Sequence, residues 1–132
     1  MIELIVLDVD GTLTDGKITY SNSGEETKSF DVADGLAIAV WTKKFGKKAA
    51  IITGRNSLIV EKRAKELGIT YLYQGIKNKQ EVLEQILKEE NLSWSQVAAI
   101  GVDLNDYNML KKVGISFTPA NGTHYLKEFV NV

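Results

Sequence analysis

The chain contains no cysteine, a single histidine, no excess of charge of either sign and no long apolar run. Each shortage narrows what it can do. Without cysteine there are no disulfides, no thiolate nucleophile and no cysteine-ligated zinc. Sixteen Lys and Arg stand against seventeen Asp and Glu, giving a formal net charge of −1 with the two signs interspersed. That pattern offers no basic face for nucleic acid. The longest apolar runs, such as Ala49-Ala50-Ile51-Ile52, fall far short of a membrane span. The first residues lack the basic and apolar regions of a secretory signal, because strand-like residues begin at once, so a cytoplasmic location is expected. His124 lies in a polar segment near the C-terminus, away from the candidate strand ends, which argues against a catalytic role.

What is present fits one globular domain. The 132 residues are 44% hydrophobic and 25% charged, and a domain of this size buries roughly two thirds of its unfolded surface without covalent staples. Ile2 to Val9 is an apolar, β-branched run broken by Glu3 and Asp8 and reads as a buried strand. After the turn-forming stretch Gly11 to Gly16, the segments 17–21 and 27–32 read as the strands of a β-hairpin, joined through Asn22-Ser23-Gly24-Glu25. The spacing predicts a helix over 36–45 ending at Gly46, a strand over 48–53, a helix over 58–67 stopped by Gly68 and a strand over 70–73. Val82, Leu83, Ile86 and Leu87 give the segment 79–90 a clear helical period. A strand over 97–101, a short helix over 107–113 and a strand over 115–118 follow. Trp41 is expected to pack in the core from its helix, and Trp94 to cover a helix-to-strand connection. Strands alternating with helices imply a parallel sheet with helices on both faces. Ligands of such sheets bind beyond the carboxyl ends of the strands.

Polar groups stand at those ends. Asp8 and Asp10 follow the first strand, Thr53-Gly54-Arg55 the second, Lys79 opens the helix after the third, and Asp103 and Asp106 follow the fourth. Taken singly, the Asp-x-Asp pair could be a solvated turn, Thr53 a cap, Lys79 and Arg55 surface charges, and Asp103 and Asp106 an Asx-turn and helix N-cap. Together they suit phosphoryl transfer, which needs a nucleophile, a proton donor, a hard cation and positive charge around the phosphoryl oxygens. Alternate residues of a strand share a face, so Asp8 and Asp10 can point to one pocket. Two carboxylates that close favour a cation between them, and Mg²⁺ prefers such oxygen ligands. Gly11 would let the backbone approach a phosphate closely.

These residues resemble the haloacid dehalogenase superfamily. The run from Asp8 to Thr14 looks like its first motif, Ile51 to Arg55 its second, Lys79 its third and Gly101 to Asp106 its fourth. The stretch from Asp15 through Gly24-Glu25-Glu26, Lys28, Phe30-Asp31-Val32 and Asp34-Gly35 is similar to the hairpin of the 3-deoxy-D-manno-octulosonate 8-phosphate phosphatases, and Tyr73-Gln74-Gly75 before Asn78-Lys79 is also typical of them. The resemblance implies a three-layer Rossmann-like parallel α/β sheet with a β-hairpin insertion after the first strand and no cap domain. It implies one domain over 1–132, with the hairpin over 17–32 and the family's C-terminal tail absent.

The function it implies is Mg²⁺-dependent hydrolysis of a sugar-acid phosphate, in lipopolysaccharide precursor synthesis. Asp8 would form an aspartyl-phosphate, Asp10 would protonate the leaving oxygen and then activate water, and Thr53 and Lys79 would hold the phosphoryl oxygens. Mg²⁺ would take the Asp8 carboxylate, the Asp10 carbonyl and the acids of the fourth motif, Asp103 and Asp106. Gly11, Thr12, Gly54, Arg55 and Asn78 complete the expected substrate-binding set. Members are homotetramers joined through their hairpins, and Ile18, Tyr20 and Phe30 supply apolar surface there, unless they pack on their own subunit. Val102 departs from the family, standing where an aspartate ligand of the cation belongs. A second reading is therefore a catalytically impaired homologue kept as an oligomerisation or sugar-acid-binding module. A phosphoacceptor receiver domain is a third, disfavoured by the Asp-x-Asp motif and the hairpin.

Overall fold

The computed structural model describes residues 1–101 and 106–118. Its centre is a parallel sheet built from β1 (Leu4–Leu7), β4 (Lys48–Ile52), β5 (Tyr71–Tyr73), β6 (Val97–Ile100) and β7 (Ile115–Phe117), in the order β5-β4-β1-β6-β7. Leu7 pairs with Ile51 on one side and Ile100 on the other, so β1, β4 and β6 end side by side. The strand period of two divides the core into two layers. Leu4, Val6, Ala50, Ile52, Val97 and Ala99 face Leu83, Ile86 and Leu87 of α3 (Lys79–Glu90) and Met109 and Leu110 of α4 (Tyr107–Leu110). On the other face Leu7 and Ile51 meet Ile38 of α1 (Val32–Ala39) and Val60, Ala64 and Leu67 of α2 (Leu58–Leu67). The expected three-layer α/β architecture is thus the one observed. No helix among the described residues is long and apolar enough to cross a membrane.

The caps explain why two helices begin and end where the sequence places them. Ser57 accepts from the Ile59 amide, and Gly68 closes α2 at φ 71°. Asn78 accepts from the Glu81 amide to open α3, and Asn91 ends it in the left-handed region. The hairpin differs from expectation. Its strands are only β2 (Thr19–Tyr20) and β3 (Glu26–Thr27), and Val32 belongs to α1 rather than to a strand. Asp31 is the reason: its carboxylate accepts from the Ala33 and Asp34 amides and starts the helix four residues ahead of Leu36. The expected helix over 36–45 is α1 followed by a π-helical segment, Val40–Lys44. Trp41 sits on that segment half-buried and donates from Nε1 to the Lys48 carbonyl at 2.7 Å. Trp94 opens a 3₁₀ turn, Trp94–Gln96, and packs against the α3 layer.

Candidate active site

Three backbones deliver the site. The Asp8 amide donates to the Ile100 carbonyl at 3.3 Å, joining the end of β1 to that of β6. Beyond it, the Thr12, Leu13 and Thr14 amides all turn back to the Val9 carbonyl, and Thr14 Oγ1 accepts from the Gly11 amide at 3.2 Å. Gly11 carries the chain through this turn at φ 85°, a conformation side chains disfavour. Thr53 follows β4, buried, with its amide donating to the Tyr73 carbonyl and its carbonyl accepting from the Ile76 amide.

Lys79 is the pivot. Its side chain is 1% exposed, and its ammonium lies 3.3 Å from Asp8 Oδ1 and also donates to Asp106 Oδ1. Gly101 permits this, since a Cβ there would stand 2.6 Å from the Asp106 Cβ and 2.8 Å from its Oδ2. Two carboxylates thus share one ammonium. Burial pushes the Asp8 carboxyl up, the Lys79 ammonium draws it down and Asp106 raises it again, with a net upward result.

A second cluster gathers at the mouth. Lys28 places its ammonium 2.8 Å from Asp10 Oδ1 and 2.7 Å from Glu26 Oε1. Arg55 places Nη2 2.7 Å from Glu26 Oε2 and Nε 3.7 Å from Asp10 Oδ2. Four alternating charges therefore close into a ring. Burial alone would lower the Lys28 ammonium, but hydrogen bonds to Asp10 and Glu26 outweigh it and hold it above the usual lysine range. Hydrogen bonds from Lys28 and then Arg55 hold Glu26 below the ordinary glutamate value.

The expected residues are thus sorted into places. Asp8, Lys79 and Asp106 meet, with Thr53 at the adjoining strand end and Gly11 in the turn above. Asp10 and Arg55 meet at the mouth instead, and among the described residues no three acidic side chains converge as a metal group. Gly54 is exposed on the loop before Arg55. Asn78 spends its side chain on the α3 cap. Thr12 turns toward α1, lining a groove with Leu13 and Asp34, and its enclosed Oγ1 has no hydrogen-bond partner among the described residues. Val102 and Asp103 lie outside the described residues, as does His124. Glu26 and Lys28 carry no site role in the sequence reading. Their signal there is a pair of opposite charges two residues apart on the hairpin exit, a pattern common to exposed strands.

Residues 72–132 match the family described as haloacid dehalogenase-like hydrolase. The 3-deoxy-D-manno-octulosonate 8-phosphate phosphatase KdsC of Escherichia coli K12 is 44% identical over 121 residues, 91% of this chain and 63% of the relative. The chain therefore spans 63% of the length of such curated relatives. Among solved structures, the 3-deoxy-D-manno-octulosonate 8-phosphate phosphatase of Moraxella catarrhalis, in complex with magnesium, phosphate and KDO, superposes with a TM-score of 0.94 at 40% identity, covering 98% of this chain and 74% of that one. The cobalt-bound phosphatase YrbI of Haemophilus influenzae gives a TM-score of 0.90 at 35% identity, covering 98% and 75%. The chain belongs to the haloacid dehalogenase-like hydrolases and, within them, to the family of the 3-deoxy-D-manno-octulosonate 8-phosphate phosphatases.

Proposed function

We propose that this protein is a phosphomonoesterase acting on a sugar-acid phosphate, 3-deoxy-D-manno-octulosonate 8-phosphate in the first place, in lipopolysaccharide precursor synthesis. The observation that carries the reading is the buried Lys79 ammonium shared by Asp8 and Asp106 at the strand ends beside Thr53. In this reading an Asp8 oxygen attacks phosphorus and the phosphorus–oxygen bond to the sugar breaks. Asp10, protonated on Oδ2 once the substrate draws Arg55 off that oxygen, gives the proton to the departing oxygen, and the phosphoryl group rests on Asp8. Asp10, now ionised, takes a proton from water, which attacks phosphorus and frees phosphate and Asp8. Lys79 and Thr53 hold the phosphoryl oxygens as charge builds on them. Gly11 keeps the turn close enough for backbone contact, and Arg55 receives the sugar-acid carboxylate. Gly54, Thr12 and Asn78 border the substrate through the loops they shape.

The donors fit Mg²⁺. Asp8 and Asp106 bring hard carboxylate oxygens together around Lys79 at the strand ends, the kind of ligand this ion prefers. The Asp8 carboxylate, the Asp10 carbonyl and Asp106, with Asp103 from the same motif, are the residues that would hold it. When bound, the ion neutralises phosphoryl charge and lowers the repulsion met by the nucleophile.

The proposal includes one domain with an inserted hairpin, a cytoplasmic location and a homotetramer assembled through that hairpin. Ile18 and Tyr20 support the last point, because they stand 48% and 59% exposed on it. Phe30 supports it less, since it packs on the α2 layer of its own subunit beneath Arg63. The second reading, an impaired homologue serving as a binding or oligomerisation module, draws on Val102.

The deciding assay is Mg²⁺-dependent phosphate release from 3-deoxy-D-manno-octulosonate 8-phosphate, with Asp8→Asn beside the parent chain. Turnover that vanishes with Asp8→Asn supports the phosphatase. Turnover that survives it removes Asp8 as nucleophile, and a silent parent favours the module.

A further inference from the structure

We infer that Lys28 is a positioning residue for Asp10, so that the hairpin governs how well the leaving oxygen is protonated. The inference rests on the phosphatase reading and goes beyond it, since the motifs assign Lys28 no part in the reaction.

The geometry points to it in three steps. The Lys28 side chain is 2% exposed although the residue belongs to a hairpin whose tip is open to solvent. An ammonium so enclosed needs partners on every side, and it finds two, Asp10 at 2.8 Å and Glu26 at 2.7 Å. The Glu26 contact is local, between residues two apart on the same strand and its exit. The contact with Asp10 reaches back 18 residues to the loop that carries the nucleophile.

Asp10 depends on this contact. It stands before Gly11 on a turn, where a lone carboxylate would sample several rotamers. Here Lys28 takes one oxygen and Arg55 approaches the other at 3.7 Å, leaving a single orientation. Proton transfer to a leaving oxygen needs that orientation to within a few tenths of an ångström.

The two cations differ in exposure. Arg55 is 43% exposed at its side chain and its contact with Asp10 is the longer of the two, so it can leave Asp10 for a bound carboxylate while Nη2 stays on Glu26. Lys28 is enclosed and stays. Once substrate draws Arg55 from Oδ2, that oxygen is free to carry the proton for the leaving group, while Lys28 on Oδ1 alone aims Asp10.

The test compares leaving groups. A sugar alkoxide needs its proton to depart, whereas p-nitrophenolate departs without one. The quantity kcat/KM covers the steps through leaving-group departure. For Lys28→Ala it should fall by ~10-fold or more on the sugar-acid phosphate, through kcat and with little change in KM, and far less on p-nitrophenyl phosphate. Lys28→Arg should recover most of the loss. Equal losses on both substrates, or none, would overturn the inference by making Lys28 a merely structural residue. Should the alanine variant not fold, Lys28→Gln, a donor of shorter reach, carries the same comparison. A parent chain silent on both substrates would defeat the phosphatase reading instead. The positioning claim then stands or falls on crystal structures of parent and variant. Asp10 should lose its single orientation in the variant, and an unmoved Asp10 would refute the claim.

Discussion

Lys79, the first residue of α3, and Asp106, the residue before α4, form an ion pair whose side chains are 1% and 0% exposed across 27 residues of sequence. A buried pair of this kind tolerates the loss of both partners far better than the loss of one. Lys79→Met would leave Asp8 and Asp106 facing each other without the ammonium, a loss of about 3–5 kcal/mol. Urea unfolding should show it as a fall in midpoint, together with loss of phosphate release. Lys79→Met combined with Asp106→Leu should be less destabilised than the sum of the two single changes.

Gly101 controls the same pair from the backbone. An alanine Cβ would stand 2.7 Å from the Asp106 carboxyl carbon, so either the carboxylate or the start of α4 must move. Gly101→Ala should cost about 1–3 kcal/mol by thermal unfolding. Its phosphate release should fall by more than that loss of stability explains, because Asp106 no longer meets Lys79.

Asp8 is raised above its ordinary 3.8 by burial, with Asp106 adding to the effect against Lys79. The folded chain therefore holds the proton more readily than the unfolded one. That contribution to stability is complete below the unfolded value and is lost as pH rises through the folded value. Asp8→Asn should flatten this part of the stability–pH curve. It should also raise the melting temperature at pH 7 without Mg²⁺ while abolishing turnover. Added Mg²⁺ should raise the melting temperature of the parent more than that of the variant.

Tyr71, on β5, is pushed up to about 12 by burial and by the neighbouring carboxylates of Glu90 and Glu89. The unfolded phenol ionises near 10. Stability from this group is full below pH 10 and drains between there and about pH 12. Absorbance titration at alkaline pH should show a late-ionising phenol that is missing in Tyr71→Phe, and Tyr71→Phe should keep its stability further into that range.

Val102 stands where the family resemblance puts an acidic ligand. Val102→Asp should lower the Mg²⁺ concentration for half-maximal phosphate release by ~10-fold or more. An unchanged Mg²⁺ requirement would mean that other oxygens complete the site.

The helices Leu58–Leu67 and Lys79–Glu90 were legible residue for residue, because apolar period, opening cap and closing Gly or Asn agree locally. The hairpin was not. Val32 favours a strand by its branching, yet Asp31 captures two amides and the helix takes it. Asp8, Asp10, Thr53 and Lys79 could be picked out because strand ends of a parallel sheet collect polar groups. The two clusters they actually form could not, since Lys28 reaches Asp10 over 18 residues and Arg55 reaches Glu26 over 29.

By itself the sequence determined the alternation of strands and helices, the polar groups at the strand ends and the kinship of its motifs. These are short-range matters of period, capping and residue type. Tertiary structure alone decided that Asp8 shares its lysine with Asp106 while Asp10 belongs to a different ring with Lys28, Glu26 and Arg55. The choice of partner depends on which side chains the sheet order and the hairpin bring within a few ångströms, and on burial that no local pattern encodes.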